Sequence, residues 1–257
     1  MAIVTLTTDF GLSDHYVGVV KGVILGIAPA ARIVDLSHQV SAYEIGEAAF
    51  LIAQAYPYFP KKTVHVIVVD PGVGTARRPI LAEAAGQYFV APDNGVLGMI
   101  YAAGKHKVRV IENDRYFRKP VSQTFHGRDI FAPVAAHLAK GIAPATMGKV
   151  IQDYLRPAGG VPERTGKHVW TGVVVKIDHF GNVVTNFRLS ELFGAAFELV
   201  LGPHVVQKIA SNYAEYSLGE LFMIEGSSGY LEISTGQGSA AKILGCAAGA
   251  PVELRVY

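Results

Sequence analysis

The run VVDPGVGTARR, at positions 68–78, places an acid and two arginines on either side of a tight turn. An apolar stretch ends at Asp70, and a proline and two glycines follow at once, which favours a turn directly after a strand. Such a turn brings the chain back within a few residues, so we expect Arg77 to pair with Asp70 and Arg78 to face solvent. An arginine held beside a carboxylate stays charged and can donate several hydrogen bonds to a polar ligand. The turn is therefore a candidate catalytic site, and its alternative is an ordinary surface ion pair.

Two other strand-like runs also end in polar turns. TTDFG contains Asp9, and APDNG contains Asp93 and Asn94. In an open parallel sheet, ligands bind beyond the carboxyl ends of the strands. Acids and amides also cap helices and begin turns in all proteins, so each position alone has a structural explanation. Together with Asp70 they predict a polar site at one sheet edge, where the acids must be balanced by cations, a metal or a ligand.

The stretch FHGRDIFAP adds a histidine that can exchange a proton near neutral pH, His126. Proline is tolerated only in the first turn of a helix, so Pro133 predicts a helix that begins near Asp129 or Ile130. His126 and Arg128 then lie just before the helix N-terminus, where both can donate to a ligand. A histidine in this position is also common as a structural residue.

The elements that must position these side chains fall into two patterns. From Ile3 to about Val150, β-branched runs alternate with amphipathic stretches, which predicts an α/β domain, residues 1–157, with a mainly parallel sheet. Residues 158–168, rich in Pro, Gly and charge, predict a linker. Residues 169–257 contain short strand-like runs separated by turn residues, which predicts a small antiparallel barrel or sandwich.

Two turns of the second domain carry polar groups. KIDHFGNVVTN contains Asp178 and Asn182, and EGSSGYLEI contains Ser227 and Ser228. An acid, an amide and hydroxyls suit a ligand with an ammonium, a carboxylate and a purine edge. They suit ordinary hairpins equally well.

Bulk composition excludes several classes of function. Half of the 257 residues are hydrophobic, yet no apolar run approaches the roughly 18 residues of a membrane span. The net charge of +2, with no dense Lys/Arg run, lacks the footprint of a nucleic-acid binder. We expect a small-molecule partner and neither nucleic acid nor membrane. The N-terminus shows no secretory signal pattern, so we expect a cytoplasmic protein.

Six motifs, in this order and spacing, resemble the S-adenosylmethionine hydroxide adenosyltransferase family, relatives of the fluorinase and chlorinase. They are TTDFG, VDPGVGTxR, APDNG, FHGRD, IDxFGNVxTN and the SSGYLEI turn. The resemblance extends from Leu6 to Tyr257.

The resemblance implies an α/β domain followed by a small antiparallel β-barrel, assembled as a homotrimer with active sites between subunits. It also implies hydrolysis of S-adenosyl-L-methionine (SAM) to adenosine and L-methionine. A sulfonium is already an excellent leaving group, so we expect water or hydroxide to attack the ribose C5′ in line, without a covalent intermediate, cofactor or metal.

The resemblance also assigns roles to single positions. Three match the set that holds and activates the water: Asp70, Arg77 and His126. Five match the substrate-binding groups: Asp9 for the ribose hydroxyls, Tyr43 near the sugar, Asp178 and Ser227 at the methionine end, and Asn182 at the adenine.

Four positions depart from the halogenating relatives. Asp70 and Val73 replace an aromatic hydroxyl and a threonine of the halide pocket, and Gly127 replaces a serine that donates to fluoride. An anionic Asp70 would repel a halide, so halogenation is disfavoured. At the methionine end Ser228 replaces an arginine, which leaves the partner of the substrate carboxylate unassigned.

Two other functions remain open from the sequence. A metal-dependent phosphohydrolase would use Asp9, Asp70, Asp93 and His126 as ligands, since hard cations prefer oxygen-rich sites. A binding module would use the same pocket to sense adenosine or SAM without turnover.

Overall fold

The structure, a computed structural model, describes residues 2–157, 161–192 and 196–257. The chain divides into two compact units, Met1–Pro157 and Ala158–Tyr257. Residues 158–160 of the predicted linker lie outside the described residues, and the rest of it contains a short strand, β8 (Glu163–Arg164), which pairs with the strand that follows.

The first unit combines one sheet with helices. Its strands are β1 (Ile3–Thr8), β2 (Arg32–Ser37), β3 (Val64–Val68), β4 (Pro79–Ala84), β5 (Gln87–Pro92), β6 (His106–Val110) and β7 (Val150–Ile151). Its helices are α1 (Tyr16–Ile27), α2 (Ile45–Ala55), α3 (Gly98–Ala102) and α4 (Ala132–Ala139), and a π-helical turn covers Gly127–Phe131. Short 3₁₀ turns cover Tyr56–Tyr58, Asp114–Tyr116 and Pro144–Thr146.

The sheet of the first unit is mixed. Its described strands follow the order β2-β1-β3-β5-β4-β6-β7. Neighbours from β2 to β5 are parallel, whereas β4, β6 and β7 join by antiparallel pairing. The predicted mainly parallel sheet is therefore confirmed only in part.

The antiparallel part begins with a hairpin that the hydrophobic pattern did not indicate. Strand β4 starts on a proline and contains alanine and glutamate, which have low strand propensity. It pairs with β5 through a two-residue turn, Ala85–Gly86, in which both residues have positive φ. This geometry is that of a type I′ turn, the connection whose twist matches antiparallel strands.

The parallel part places the polar turns side by side. Strands β1 and β3 are neighbours, with Thr8 opposite Val68. Asp9 follows β1, and Asp70 comes two residues after β3, so both acids lie at the same sheet edge. The side chains of β3 are buried on both faces, which fits its unbroken apolar sequence. Helices α1 and α4 pack on one face and α2 and α3 on the other.

The helix that follows His126 begins earlier than predicted. The π-helical turn starts at Gly127, with His126 at its N-cap position, and continues into α4. Pro133 lies in the first turn of α4, as predicted. The expected start near Asp129 or Ile130 is wrong by two or three residues, because the added turn is π-helical and its hydrogen bonds do not need the proline nitrogen.

The second unit is an antiparallel sheet whose ends nearly meet. Besides β8 it contains β9 (Val169–Ile177), β10 (Val183–Thr185), β11 (Phe197–Leu201), β12 (His204–Val206), β13 (Leu221–Glu225), β14 (Leu231–Thr235) and β15 (Pro251–Val256), with helix α5 (Ala240–Leu244) and a 3₁₀ turn at Leu189–Glu191. The order is β12-β11-β15-β9-β10-β14-β13. A bridge between Ile209, just after β12, and Met223 of β13 links the two ends. The antiparallel, nearly barrel-shaped sheet confirms that prediction.

None of the helices in the described parts of the chain has the length and apolar character needed to cross a membrane.

Candidate active site

The turn after β3 brings Arg77 back onto Asp70, as the sequence predicts. The Val73 N–H donates to the Asp70 carbonyl at 3.2 Å and the Thr75 N–H to the Gly72 carbonyl at 3.1 Å, so the turn is closed by its own backbone. Arg77 Nε donates to Asp70 Oδ1 at 2.8 Å, and Arg77 Nη2 donates to Asp70 Oδ2. This two-point contact fixes the plane of the guanidinium relative to the carboxylate.

The Asp70–Arg77 pair is buried. The side chains are 5 % and 9 % exposed, respectively. The alternative of an ordinary surface ion pair therefore does not describe it. The Arg77 guanidinium also lies 5.2 Å from the centre of the Phe131 ring, which is close enough for a cation–π contact.

Arg77 also contacts His126, 49 residues further along the chain, with 3.0 Å between Nη2 and Nδ1. A guanidinium can only donate, so Nδ1 of His126 accepts this hydrogen bond. Neutral His126 then carries its proton on Nε2, which makes that atom a donor toward a ligand.

The surroundings of His126 favour its neutral form. Burial is the largest cause that lowers the pKa of His126 from its ordinary value, and the positive charge of Arg77 lowers it further. The negative charges of Asp70 and Asp129 act in the opposite direction and are outweighed.

A glycine brings the turn close to the His126 segment. Gly74 has φ of +78°, and a Cβ atom on it would overlap the backbone oxygen of Gln123. Only glycine adopts this φ without strain and leaves room for such an approach. The turn that holds Asp70 is thus packed directly on the chain that leads into His126.

A cavity of about 280 Å³ opens beside these groups in the first unit. It brings together four of the predicted site residues: Asp9, Tyr43, Asp70 and His126. Val73 and Gly127, which replace hydroxyl residues of the halogenating relatives, also line it. Arg77 does not line the cavity, so it influences a ligand there only through Asp70 and His126.

Asp9 is tied to the loop that carries Tyr43. The Tyr43 N–H donates to Asp9 Oδ2 at 3.0 Å. Tyr43 has φ of +70° and its side chain is exposed. Positive φ in a non-glycine residue is strained, and such residues concentrate at ligand-binding positions.

Three aromatic side chains that our sequence interpretation did not select form one wall of the cavity: Phe10, Tyr16 and Phe125. Phe125 contacts Phe10 with ring centres 5.9 Å apart and Tyr16 with ring centres 5.2 Å apart. Phe10 and Phe125 each adjoin a selected residue in the motifs TTDFG and FHGRD, and that position was the available signal.

Arg78 and Asp93 form a separate, structural contact. Arg78 Nη2 donates to Asp93 at 2.7 Å and Nη1 donates to Asp153 at 3.0 Å, and the Arg78 side chain is 32 % exposed, so it faces solvent only in part. Asp93 also accepts from the Leu155 N–H at 2.8 Å. Asn94 donates to the Val69 carbonyl at 2.9 Å. These bonds tie the end of β5 to its surroundings.

Arg128 is likewise engaged in structure. It donates from Nε and Nη2 to the two oxygens of Asp129, at 2.7 Å each, and Asp129 is fully buried. Across residues 2–157, 161–192 and 196–257, no three His, Cys, Asp or Glu side chains form a group that could hold a metal ion.

The predicted residues of the second unit lie in two turns. The Asp178 carboxylate accepts from the backbone N–H groups of Phe180 and Asn182 and from the Asn182 side-chain amide, at 2.8–2.9 Å. Asn182 is buried. Ser227 is exposed in the turn Gly226–Gly229, which is closed by the Gly229 N–H donating to the Gly226 carbonyl at 2.9 Å.

Family models match most of the chain. A model described as the SAM hydroxide adenosyltransferase N-terminal domain matches residues 4–148, and the corresponding C-terminal domain model matches residues 172–253.

Individual relatives match over nearly their whole length. A protein of Salinispora tropica named (R)-S-adenosyl-L-methionine hydrolase is 37% identical over 96% of this chain and 95% of its own. A protein of the same name from Thermus thermophilus is 36% identical over 96% of this chain and 97% of its own. The crystal structure of a conserved protein from Thermotoga maritima superposes with a TM-score of 0.89, at 36% identity, covering 99% of this chain and 100% of that one.

Proposed function

Because the chain belongs to the SAM hydroxide adenosyltransferase family, we propose that it hydrolyses S-adenosyl-L-methionine to adenosine and L-methionine. Full-length relatives named for this activity support the proposal. The observation that carries it is the Arg77 guanidinium, which contacts both Asp70 and His126 where these two side chains line a cavity.

The reaction is a single in-line displacement. Water attacks the ribose C5′, the C5′–O bond forms, and the C5′–S bond breaks with its electron pair passing to sulfur. The positively charged sulfonium becomes a neutral thioether, so the leaving group needs no acid. The enzyme has to hold a water molecule in line with the C5′–S bond.

His126 and Asp70 have different roles toward this water molecule: one donates a hydrogen bond to it and the other accepts its proton. His126 cannot take the proton in the observed arrangement, because Nδ1 already accepts from Arg77 and Nε2 already carries hydrogen. His126 therefore donates from Nε2 to the water oxygen, and the Asp70 carboxylate accepts the water proton. The oxonium formed by attack is a strong acid, so a carboxylate paired with arginine is basic enough to receive its proton. Arg77 acts as a positioning residue that orients both groups.

The substrate-binding roles follow the family assignment. Asp9 binds the ribose hydroxyls, since a carboxylate that receives one N–H from Tyr43 keeps capacity for further donors. Tyr43 lies near the sugar. Asp178 and Ser227 hold the methionine end, and Asn182 reads the adenine. The unit Met1–Pro157 thus carries the water-activating residues and Ala158–Tyr257 carries the adenine and methionine sites.

The assembly that we propose is a cytoplasmic homotrimer with active sites between subunits and without nucleic-acid or membrane partners. The reaction needs no cofactor or metal, because its leaving group is already activated. A halide is a poor competitor for the water, since Asp70 lines the cavity as an anion, and Val73 and Gly127 offer no hydroxyl to a halide.

The test is incubation of the purified protein with SAM in chloride-containing, fluoride-containing and halide-free buffer, followed by chromatography with mass detection. We expect adenosine and methionine at rates independent of halide. A 5′-halogenated adenosine would overturn the choice of nucleophile, and SAM that stays bound but intact would identify a sensor.

A further inference from the structure

The turn Gly226–Gly229 has a guanidinium at one end and a carboxylate at the other. At the Gly229 end, a Cβ atom on the glycine would lie 3.3 Å from Arg188 Nη1. At the Gly226 end, a Cβ atom would overlap Oε1 of Glu232. Both glycines leave room for a charged side chain to approach the turn backbone, and the two charges are opposite.

The Arg188 side chain is held at this turn by its neighbours. Its guanidinium carbon lies 3.9 Å from the centre of the Tyr230 ring. The backbone beside it is joined to β14, because the Leu231 N–H donates to the Phe187 carbonyl at 2.8 Å. A guanidinium stacked on a ring keeps its N–H edge available for hydrogen bonds. Within the described residues no carboxylate forms an ion pair with Arg188.

The opposite end of the turn is acidic. Glu232 is buried, and Tyr213 Oη donates to Glu232 Oε2 at 3.0 Å. Burial is the largest cause that raises the pKa of Glu232; the hydrogen bond from Tyr213 lowers it, and the negative charge of Asp178 raises it. A buried carboxylate is stabilised by a cation placed beside it.

We propose that Arg188 binds the α-carboxylate of the methionine moiety of SAM, with the acids Asp178 and Glu232 at its ammonium. This assignment rests on the proposed function and fills the position that Ser228 leaves open. An α-amino acid carries opposite charges on one carbon, and the turn offers opposite charges at its two ends. The guanidinium belongs to Arg188, directly before the 3₁₀ turn Leu189–Glu191, and not to a residue of the turn Gly226–Gly229.

The test compares two substrates that differ only in the carboxylate: SAM and decarboxylated SAM, which keeps the sulfonium and the terminal ammonium. For Arg188→Ala we expect kcat/KM on SAM to fall about 10- to 100-fold, mainly through KM, because a charge-assisted pair is lost. On decarboxylated SAM we expect Arg188→Ala to change kcat/KM by less than about threefold, because this substrate has no carboxylate for Arg188 to bind. Arg188→Lys should recover part of the loss on SAM.

Arg164→Ala is the matched control, because Arg164 also stacks on an aromatic ring of the second unit, that of Trp170. Arg164→Ala should leave unchanged the ratio of kcat/KM on SAM to kcat/KM on decarboxylated SAM. Equal losses on both substrates in Arg188→Ala, or no loss on either, would refute the assignment. If the wild-type protein hydrolyses neither substrate, the proposed function fails. The dissociation constants of SAM and decarboxylated SAM, measured by titration calorimetry for wild type and Arg188→Ala, then decide the role of Arg188.

Discussion

Arg77 sets the chemical state of two neighbours at once. It orients the Asp70 carboxylate through two hydrogen bonds and fixes the tautomer of His126 through a third. The first contact could be predicted, because a tight turn returns the chain within seven residues. The second could not, because it joins residues 49 positions apart and depends on how the turn packs against the His126 segment. Long-range packing of this kind leaves no local pattern in the sequence.

Removing the side chain of Arg77 or of His126 should lower turnover. We expect Arg77→Ala and His126→Ala each to reduce kcat on the order of 10²-fold, because His126→Ala loses a polar contact to the reacting water and Arg77→Ala loses the contacts that orient Asp70 and His126. Arg109→Ala is the control, since Arg109 is also a partly buried arginine paired with an acid in the first unit, Glu83. Steady-state adenosine formation measures all three, and near-wild-type turnover in the first two variants would disprove the assigned roles.

The protonation of His126 should depend on its contact with Arg77, and this dependence can be measured by varying the pH. Because burial and then Arg77 lower its pKa, His126 stays neutral until the pH falls below its ordinary value of 6.5. Protonation at Nδ1 removes the acceptor for Arg77 and adds a second positive charge, so activity should fall as the pH drops through this lowered pKa. NMR titration of the histidine resonances should show the pKa of His126 below 6.5 and show it rising in Arg77→Met. An unchanged pKa in that variant would contradict the contact.

At the scale of elements, the alternation of β-branched runs with amphipathic stretches predicted the α/β class of the first unit but gave no sign of β4. Strand β4 has a composition unlike a strand and depends on pairing with both β5 and β6. Its hairpin turn uses alanine at the first position, where type I′ turns usually have asparagine, aspartate or glycine, so Gly86 alone marked the turn. The contact between Arg78 and Asp153 could not be predicted for a similar reason, because the two residues lie 75 positions apart.

The turn between β3 and β4 depends on one glycine. Gly74→Ala should lower the free energy of unfolding by about 2–3 kcal/mol, because alanine is strained at φ of +78° and its Cβ overlaps the Gln123 carbonyl. It should also lower kcat, since the turn carries Asp70. Gly104→Ala is the control, because a Cβ atom there meets no other atom within 4 Å. Denaturant unfolding compares the two variants, and equal stability of Gly74→Ala and wild type would contradict the close packing.

At the scale of the whole molecule, the proposed reaction needs residues of both units. The motifs that resemble the family assign water activation to the first unit and recognition of the amino acid and adenine to the second, which is the division that we propose. At position 228 this chain has serine where the halogenating relatives have an arginine, so the motif alone does not identify the partner of the substrate carboxylate. The structure places Arg188 beside that turn, but its position in the sequence, directly before the 3₁₀ turn Leu189–Glu191, gives no sign of the role that we propose for it.

Complementation tests the proposed trimer with shared sites. Random mixing of His126→Ala and Asp178→Ala subunits in a cyclic trimer would leave about a quarter of the sites with two intact halves. We expect activity near that fraction after co-refolding or co-expression, although each variant alone is weakly active. Mixing His126→Ala with Arg77→Ala, both in the first unit, should restore none. Equal activity in the two mixtures would contradict sites shared between subunits.

The central claim is that a water molecule attacks the ribose C5′ of SAM. The most direct measurement is turnover in ¹⁸O-labelled water, with mass analysis of both products. We predict adenosine that carries one ¹⁸O atom at its 5′ oxygen, together with unlabelled methionine, at a rate independent of chloride. Label in methionine, unlabelled adenosine or a halogenated nucleoside would contradict that claim.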